Sequence, residues 1–523
     1  MDADGHESDP AARPISVGRA LCPPIPPAQA EALRYPAKPG ERTAHSVALN
    51  SQALRCHGWD SGYKDSRPRR RGPAKVPILR IPMSHSAHAG NPPSVPLSEP
   101  LFSEPIFSEG KVIPDPTYFL TPHPSDSPLY KELDKLHAIQ ARPFLRSRLA
   151  DGDLFPLAGA LGSLGAQKVA GIAAAGRIVF HAAGDTGSVK GPLLQDLAPD
   201  AMAAETRAAV VADRPAFFFH LGDLVYSFAE AKYYYDQFYE SYRNYAGPIF
   251  AVPGNHDGML PPPPVSVDTL DSFYRNFCAG SFGISPDALT LHRTSMTQPG
   301  VYFALDAPFV RIIGLYSNAL EDPGLISSQG GHYPNVPDYQ LSFLRAQLQQ
   351  VRDEKYAGAV IIAVHHPPFT WSAPNPGHGA THGGSPAMLK EIDTVCAAAG
   401  VYPHAILSGH AHNYQRYTRT VPFAGKAPTV PFVVCGCGGH GLSSVVARGK
   451  AAPVFGSDAS YLDAAGHALR IDHFDDQHYG YLRVTVDAAK LRLAFVAVPG
   501  GGAPPAEADA VTVDLATHAA VDG

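Results

Sequence analysis

A chain of 523 residues, 45% of them hydrophobic and 17% charged, has enough apolar material to bury a large core. Its formal net charge of −6 excludes a nucleic-acid binder driven by bulk positive charge, so no nucleic acid is expected as a stable partner. The six cysteines (Cys22, Cys56, Cys278, Cys396, Cys435 and Cys437) have neither zinc-knuckle nor disulfide-framework spacing, and we read them as reduced thiols.

The chain opens MDADGHESDPAARP, without an apolar stretch of secretory type, and a cytoplasmic location is expected on that ground. Residues 1–150 read as a Pro-rich, mostly disordered region, because tracts such as Pro23-Pro24-Ile25-Pro26-Pro27 cannot sustain helix or sheet. Met83 offers an alternative start that would make residues 1–82 an over-extended reading frame. The basic run Arg67, Arg69, Arg70 and Arg71 reads as a solvated stretch of flexible tail, with binding of nucleic acid or anionic lipid as the alternative. Only Pro116–Leu149 looks partly helical, through LYKELDKLHAIQARPFLRSRL. The apolar run Leu157–Phe180 is interrupted by Gln167, Lys168 and Arg177, so no membrane span is expected.

An α/β domain is expected over residues 151–500. Strands are expected at Arg177–Ala182, Ala216–Leu221, Pro248–Val252, Val301–Leu305, Phe309–Tyr316, Val360–Val364, His404–Leu407 and Pro431–Val434. Helices are expected at Glu205–Asp213, Glu230–Tyr245, Thr269–Phe277, Asp338–Lys355 and Ala387–Ala398. In the fourth helix Leu341, Leu344, Leu348 and Val351 recur at the three-and-four spacing of one apolar face. Tyr479–Val486 and Leu491–Val498 flank a short turn and read as a hairpin. Residues 501–523, rich in Ala, Pro and Gly, are expected to be a loosely ordered tail.

Five motifs rich in hard metal ligands each follow an expected strand. They are Gly184-Asp185-Thr186-Gly187, Gly222-Asp223-Leu224-Val225-Tyr226, Gly254-Asn255-His256-Asp257, His365-His366-Pro367-Pro368 and Gly409-His410-Ala411-His412. The carboxyl ends of strands in an α/β sheet form the crevice where ligands bind. A single Gly-Asp after a strand is usually a turn, and a single His there is usually a hydrogen-bonded core or surface residue. Five such motifs in order within one domain point instead to a metal site. Carboxylate, phenolate, amide oxygen and imidazole together suit iron, manganese or zinc.

From about Arg177 to Val498 the chain resembles the calcineurin-like metallophosphoesterase superfamily and, more narrowly, the purple acid phosphatases. That family carries the ordered blocks GDxG, GDxxY, GNH plus an acid, VxxH and GHxH. Four stand here unchanged; Ile362-Ala363-Val364-His365 has isoleucine for the leading valine of the fourth. The resemblance implies a four-layer α/β/β/α sandwich, with residues 151–500 as its catalytic domain. Most of the wider superfamily has D-x-H in the first block, where this chain has Gly187. Tyr226 stands where purple acid phosphatases place a phenolate ligand.

The resemblance implies two metal ions. Asp185, Asp223, Tyr226 and His412 would hold the first, and Asp223, Asn255, His365 and His410 the second, with Asp223 as the bridge. His366 aligns with a position that is not a ligand. Fe(III) is expected at the Tyr226 site, with Fe, Zn or Mn at the second. The implied reaction is hydrolysis of phosphate monoesters by direct attack of a metal-bound hydroxide, of acid-phosphatase type. His256 would stabilise the phosphoryl oxygens and protonate the leaving alkoxide, with Asp257 orienting it or supporting its loop. His220, His378, His382 and His440 are candidates to line the pocket, and Trp371–Ser385 reads as a long loop beside the fourth block.

Two rivals remain. A phosphodiesterase acting on nucleotides, nucleic acids or phospholipid head groups would use the same metal core. A non-catalytic metal-binding scaffold would be signalled by loss of His256 or of a ligand, and neither is lost.

Overall fold

The computed structural model describes residues 95–102, 140–261, 266–289, 291–371, 382–423, 425–446 and 461–523, all within one unit, His85–Gly523. The expectations for residues 1–94 and 103–139, for His378 and for most of the Trp371–Ser385 loop lie outside the described residues.

Near-continuous apolar runs suit strands buried on both faces, as in parallel sheets flanked by helices. Val310–Leu315 and Ala359–Val364 are buried along their whole length, and Arg177–Ala183 at all but its first residue. In one sheet, of seven strands, Arg177–Ala183, Phe218–His220 and Ile249–Ala251 run parallel, and the chain's last four strands continue it antiparallel. In a second sheet, of nine strands, Val310–Leu315, Ala359–Val364, Ala405–Ser408 and Thr429–Cys435 run parallel between antiparallel flanks. A three-stranded sheet of Val95–Pro96, Cys278–Ile284 and Thr294–Thr297 stands apart.

The two large sheets pack face to face. Tyr414 of one stacks on Phe495 of the other with ring centroids 4.0 Å apart, and Phe219 stacks on Phe303 at 5.9 Å. Helices Tyr339–Asp353 and Pro386–Ala399 flank the nine-stranded sheet, while Gly165–Ala174 and Leu197–Glu205 flank the other. The result is the four-layer α/β/β/α sandwich. It also sets the carboxyl ends of both parallel sets along one rim. Gly184 N–H donates to the Cys435 carbonyl at 2.9 Å, stitching the two sheets together there.

The eight expected strands of the domain and the C-terminal hairpin (Tyr479–Asp487 and Lys490–Val498) are present, with ends shifted by a few residues. Helix Tyr339–Asp353 buries Phe343, Leu344, Leu348 and Val351, so its inner face is rotated toward Phe343 and away from Leu341, which is only partly buried. Buried Gln340 on the same helix clamps the Tyr316 backbone, accepting from its N–H at 2.8 Å and donating to its carbonyl at 2.7 Å.

Several expectations need correction. The helix expected at Glu205–Asp213 instead ends at Glu205: it runs Leu197–Glu205, with Pro199 in the first turn, where no N–H is needed. Glu230–Tyr245 holds only the short helical turns Ala231–Tyr233 and Tyr235–Tyr239, because its tyrosines pack inward as individual side chains. Residues 140–149 are neither helical nor loose. They run extended across Pro143, with Phe144 buried, Arg142 N–H donating to Asn318 Oδ1 and Ser147 N–H to the Tyr302 hydroxyl. The tail expected to be loose forms strands Ala506–Asp514 and Ala519–Asp522. Its Val511 and Val513 are buried, and its backbone satisfies the edge of Lys490–Val498.

Candidate metal centre

Each of the five motifs leaves the carboxyl end of a strand, and all five meet on the rim between the sheets. Three of the residues do so through left-handed backbone: Asp185 (φ 57°), Asp223 (φ 56°) and His410 (φ 68°). Such conformations are uncommon for residues with a side chain and cluster at functional sites. Here they turn the chain sharply at a strand end, so that the side chain points back into the crevice. Gly222 (φ 100°) must be glycine for a second reason: a Cβ there would lie 2.5 Å from His365 Nδ1.

Six of the seven residues expected as ligands are fully buried, and His412 is partly exposed at the mouth. The Asp223 carboxylate lies at their centre. Its Oδ2 is 3.1 Å from the Tyr226 hydroxyl and 3.2 Å from His365 Nε2, and its Oδ1 accepts the His256 backbone N–H at 2.9 Å. On one side, the Tyr226 hydroxyl also reaches Asp185 Oδ1 at 3.1 Å and His412 Nε2 at 3.3 Å. On the other, Asn255 Oδ1 lies 3.0 Å from His365 Nε2 and 3.1 Å from His410 Nδ1. The structure thus brings all seven together, in two groups that share Asp223.

The electrostatics of the protein groups alone are those of a site built around cations. Burial, together with the Asp223 charge, pushes the Asp185 carboxyl well above its ordinary range. Burial and the two carboxylates push the Tyr226 phenol up as well. Burial alone would lower the His365 ring, but Asp223 outweighs it and raises it to about 9. Burial drives His410 and His412 down, with neighbouring rings adding to the effect. His410 Nε2 is buried with no hydrogen-bond partner among the described residues. Two carboxylates, a phenol, an amide oxygen and three imidazoles, crowded together with no Lys or Arg ion-paired to the carboxylates among the described residues, fit a pair of divalent or trivalent cations. Asp223, His365 and His410 already lie close enough to share one ion.

Gly187 is as constrained as the residues around it. A Cβ at that position would meet Gln237 Oε1 at 2.4 Å and the Leu224 carbonyl at 2.5 Å, so no His can occupy it without moving the loop. The space beside Asp185 is filled from the other motif by Tyr226. Gln237 clamps the Tyr226 backbone, accepting from its N–H and donating to its carbonyl at 2.9 Å each. His440 stacks on the phenol with centroids 3.8 Å apart and donates from Nδ1 to the Gly187 carbonyl at 2.8 Å.

His256 Nδ1 donates to the Ser227 carbonyl at 2.7 Å, which fixes the tautomer with Nε2 as the basic nitrogen of the neutral ring. The Asp257 carboxylate accepts the backbone N–H groups of Gly254 at 2.8 Å, Asp223 at 2.9 Å and Leu224 at 3.2 Å. It therefore ties the second and third motifs together. Of the additional histidines, His382 faces the crevice, its ring 4.4 Å from that of His410. His220 lies behind it, accepting from Gly222 N–H on Nδ1 and donating from Nε2 to Thr186 Oγ1 at 2.8 Å. His366 turns away from the cradle, bonded to Ser317 Oγ at 2.7 Å and the Leu320 carbonyl at 2.9 Å.

Glu321 and Asp322 also reach the crevice and were not anticipated. They follow the strand Val310–Leu315, and the strand-end rule that singled out the five motifs applies equally to them. Ser317-Asn318 intervenes without a metal-ligand signature, so sequence inspection passed over this segment.

Residues 182–414 match the calcineurin-like phosphoesterase family. Comparison with curated proteins found no match. Two solved structures are similar: "GAP50 the anchor in the inner membrane complex of Plasmodium", 12% identical, covering 63% of this chain and 88% of that one with a TM-score of 0.40; and "Structure of PhoD", 13% identical, covering 66% and 71% with a TM-score of 0.40. Among the described residues no helix is long and apolar enough to cross a membrane. Residues 182–414, which contain the five strand-end motifs, are therefore a calcineurin-like phosphoesterase domain, the domain of a family of metal-dependent phosphoester hydrolases.

Proposed function

We propose that the chain is a two-metal phosphatase of acid-phosphatase type, acting on phosphate monoesters. Asp185, Asp223, Tyr226 and His412 hold the first ion in this reading, and Asp223, Asn255, His365 and His410 the second. The observation that carries it is the position of Asp223, whose Oδ2 lies within hydrogen-bonding range of both Tyr226 and His365, one from each group. When bound, two such ions supply an activated water and offset charge on the phosphoryl oxygens. The paired replacement at Gly187 and Tyr226 supports Fe(III) at the first position, with Fe, Zn or Mn at the second.

The remaining work falls to the protein. His256, with Nδ1 committed to the Ser227 carbonyl, presents Nε2 to protonate the departing oxygen. Asp257 keeps the Asn255–His256 turn against Asp223 through three backbone N–H groups, so its contribution is positional. His382, at the mouth, is suited to contact the phosphate or its substituent.

Parallel assays with a chromogenic phosphate monoester and its bis-ester, alongside metal analysis of the purified protein, test this reading. We expect two metal equivalents and a preference for the monoester. A strong diester preference would keep the metal centre and overturn the acid-phosphatase assignment. A metal-replete protein that hydrolysed neither ester would overturn catalysis.

A further inference from the structure

The strand Val310–Leu315 is the end member of the parallel set in its sheet, paired with Ala359–Val364, and the segment that follows it supplies none of the seven residues assigned to the metals. That segment delivers Glu321 and Asp322 to the back of the second-metal group. Asn255 Nδ2 donates to Glu321 Oε2 at 3.2 Å, while its Oδ1 faces His365 and His410. This choice of amide orientation has a chemical basis: with oxygen and nitrogen exchanged, two acceptors would face each other at the carboxylate. Glu321 Oε1 lies 3.4 Å from His382 Nδ1, so one carboxylate spans from a ligand to the histidine at the mouth.

His410 presents the complementary problem. Its Nδ1 faces Asn255 Oδ1, and its backbone N–H is anchored on Asp185 Oδ2 at 2.7 Å. Its buried Nε2 has no hydrogen-bond partner among the described residues, and Asp322 Oδ1 is 3.8 Å away. An imidazole that coordinates through Nδ1 carries its proton on Nε2, and that proton seeks an oxygen acceptor.

Building on the two-metal reading above, we propose that Glu321 and Asp322 are positioning residues dedicated to the second metal. Glu321 holds the Asn255 oxygen inward, and Asp322 accepts from His410 Nε2 and fixes the tautomer and the ring. Both acids reach the second-metal group directly, Glu321 through Asn255 and Asp322 toward His410, so their effect should fall chiefly on that ion.

The test is metal binding by the full-length protein, titrated with Zn(II) alone after chelation and read as stoichiometry and affinity. Variants are Glu321→Ala, Asp322→Ala and the conservative Glu321→Gln, with Glu354→Ala, just past the end of helix Tyr339–Asp353, as a charge-matched control. Melting in chelator establishes that each variant folds. We expect two equivalents in the parent and the control. Glu321→Ala and Asp322→Ala should keep the tighter equivalent and bind the second about 10- to 100-fold more weakly. Glu321→Gln, which retains one acceptor oxygen, should recover part of that loss. Two parental equivalents with unchanged affinities in both alanine variants would overturn this inference alone. A parent binding fewer than two would overturn the two-metal reading and this inference with it.

Discussion

Two buried polar clusters in this protein resolve the same electrostatic problem in opposite ways. Beneath the nine-stranded sheet, the Arg419 side chain is fully buried and pairs with Asp393 and Asp463 at 2.7 Å each, with the Tyr402 hydroxyl as a further partner. Nearby Arg416 meets Asp509 at 2.6 Å, Asp522 at 2.9 Å and Asp472 at 3.0 Å. Each carboxylate there faces a guanidinium supplied by the chain itself. On the rim, the ion-pair partners of Asp185 and Asp223 among the described residues are histidines alone. An uncompensated buried carboxylate is costly, so one cluster carries its cation in the sequence and the other is arranged to receive one from solution.

The sharpest way to break that contrast is to remove one acid from the rim. Asp223→Ala should abolish measurable hydrolysis and lose both metals by elemental analysis, while chelator-treated parent and variant melt alike. If the variant retained two metals, the centre would not be organised around Asp223. His256→Ala should lower kcat by about 10²- to 10⁴-fold with metal content unchanged, the signature of a lost general acid. A parallel fall in metal content would move His256 from the chemistry into the scaffold.

Arg419→Met should show the reverse pattern. Stranding Asp463 and Asp393 without their guanidinium should destabilise the fold by about 3–5 kcal/mol in denaturant titrations, with metal per folded molecule unchanged. Tyr226→Phe should cost only about 1–3 kcal/mol, the worth of hydrogen bonds to charged acceptors, but should abolish any tyrosinate–iron band in the visible spectrum. A colourless parent would leave two metals and remove iron.

The last prediction concerns acid stability. His404 stacks on His518, its ring accepts the Val360 N–H, and burial, reinforced by His518, lowers its pKa to about 3. The folded pKa lies below the unfolded one, so its contribution is complete above about pH 6.5 and is lost as pH falls toward 3, by at most about 1.4 kcal/mol per pH unit. His404→Gln should flatten the stability profile in that window and leave it unchanged at pH 8. An unaltered slope would assign the acid sensitivity to other groups.

Much of this was legible without coordinates, and for local reasons. Strand Ala359–Val364 announces itself as six consecutive apolar residues, and the metal motifs lie at strand ends, each a short string of neighbours. The α/β class and the five motifs could be read from such strings, whereas the choice of seven ligands among them, and of His365 over His366, was implied by the family resemblance and stands as a proposal. What failed was also local in origin. Residues 506–514 look like a loop until Lys490–Val498 offers an edge to pair with, and Glu230–Tyr245 looks helical until its tyrosines find separate places in the core.

The sequence by itself determined which donors are available and that they follow strands, because ligand type and strand periodicity are properties of adjacent residues. Only the tertiary structure decided that Gly187 has no room for a side chain, that Asp257 braces a loop, and that Glu321 and Asp322 reach the back of Asn255 and His410. Those facts depend on distances between segments 33 to 88 residues apart, which are set by strand order within each sheet and by how the two sheets pack.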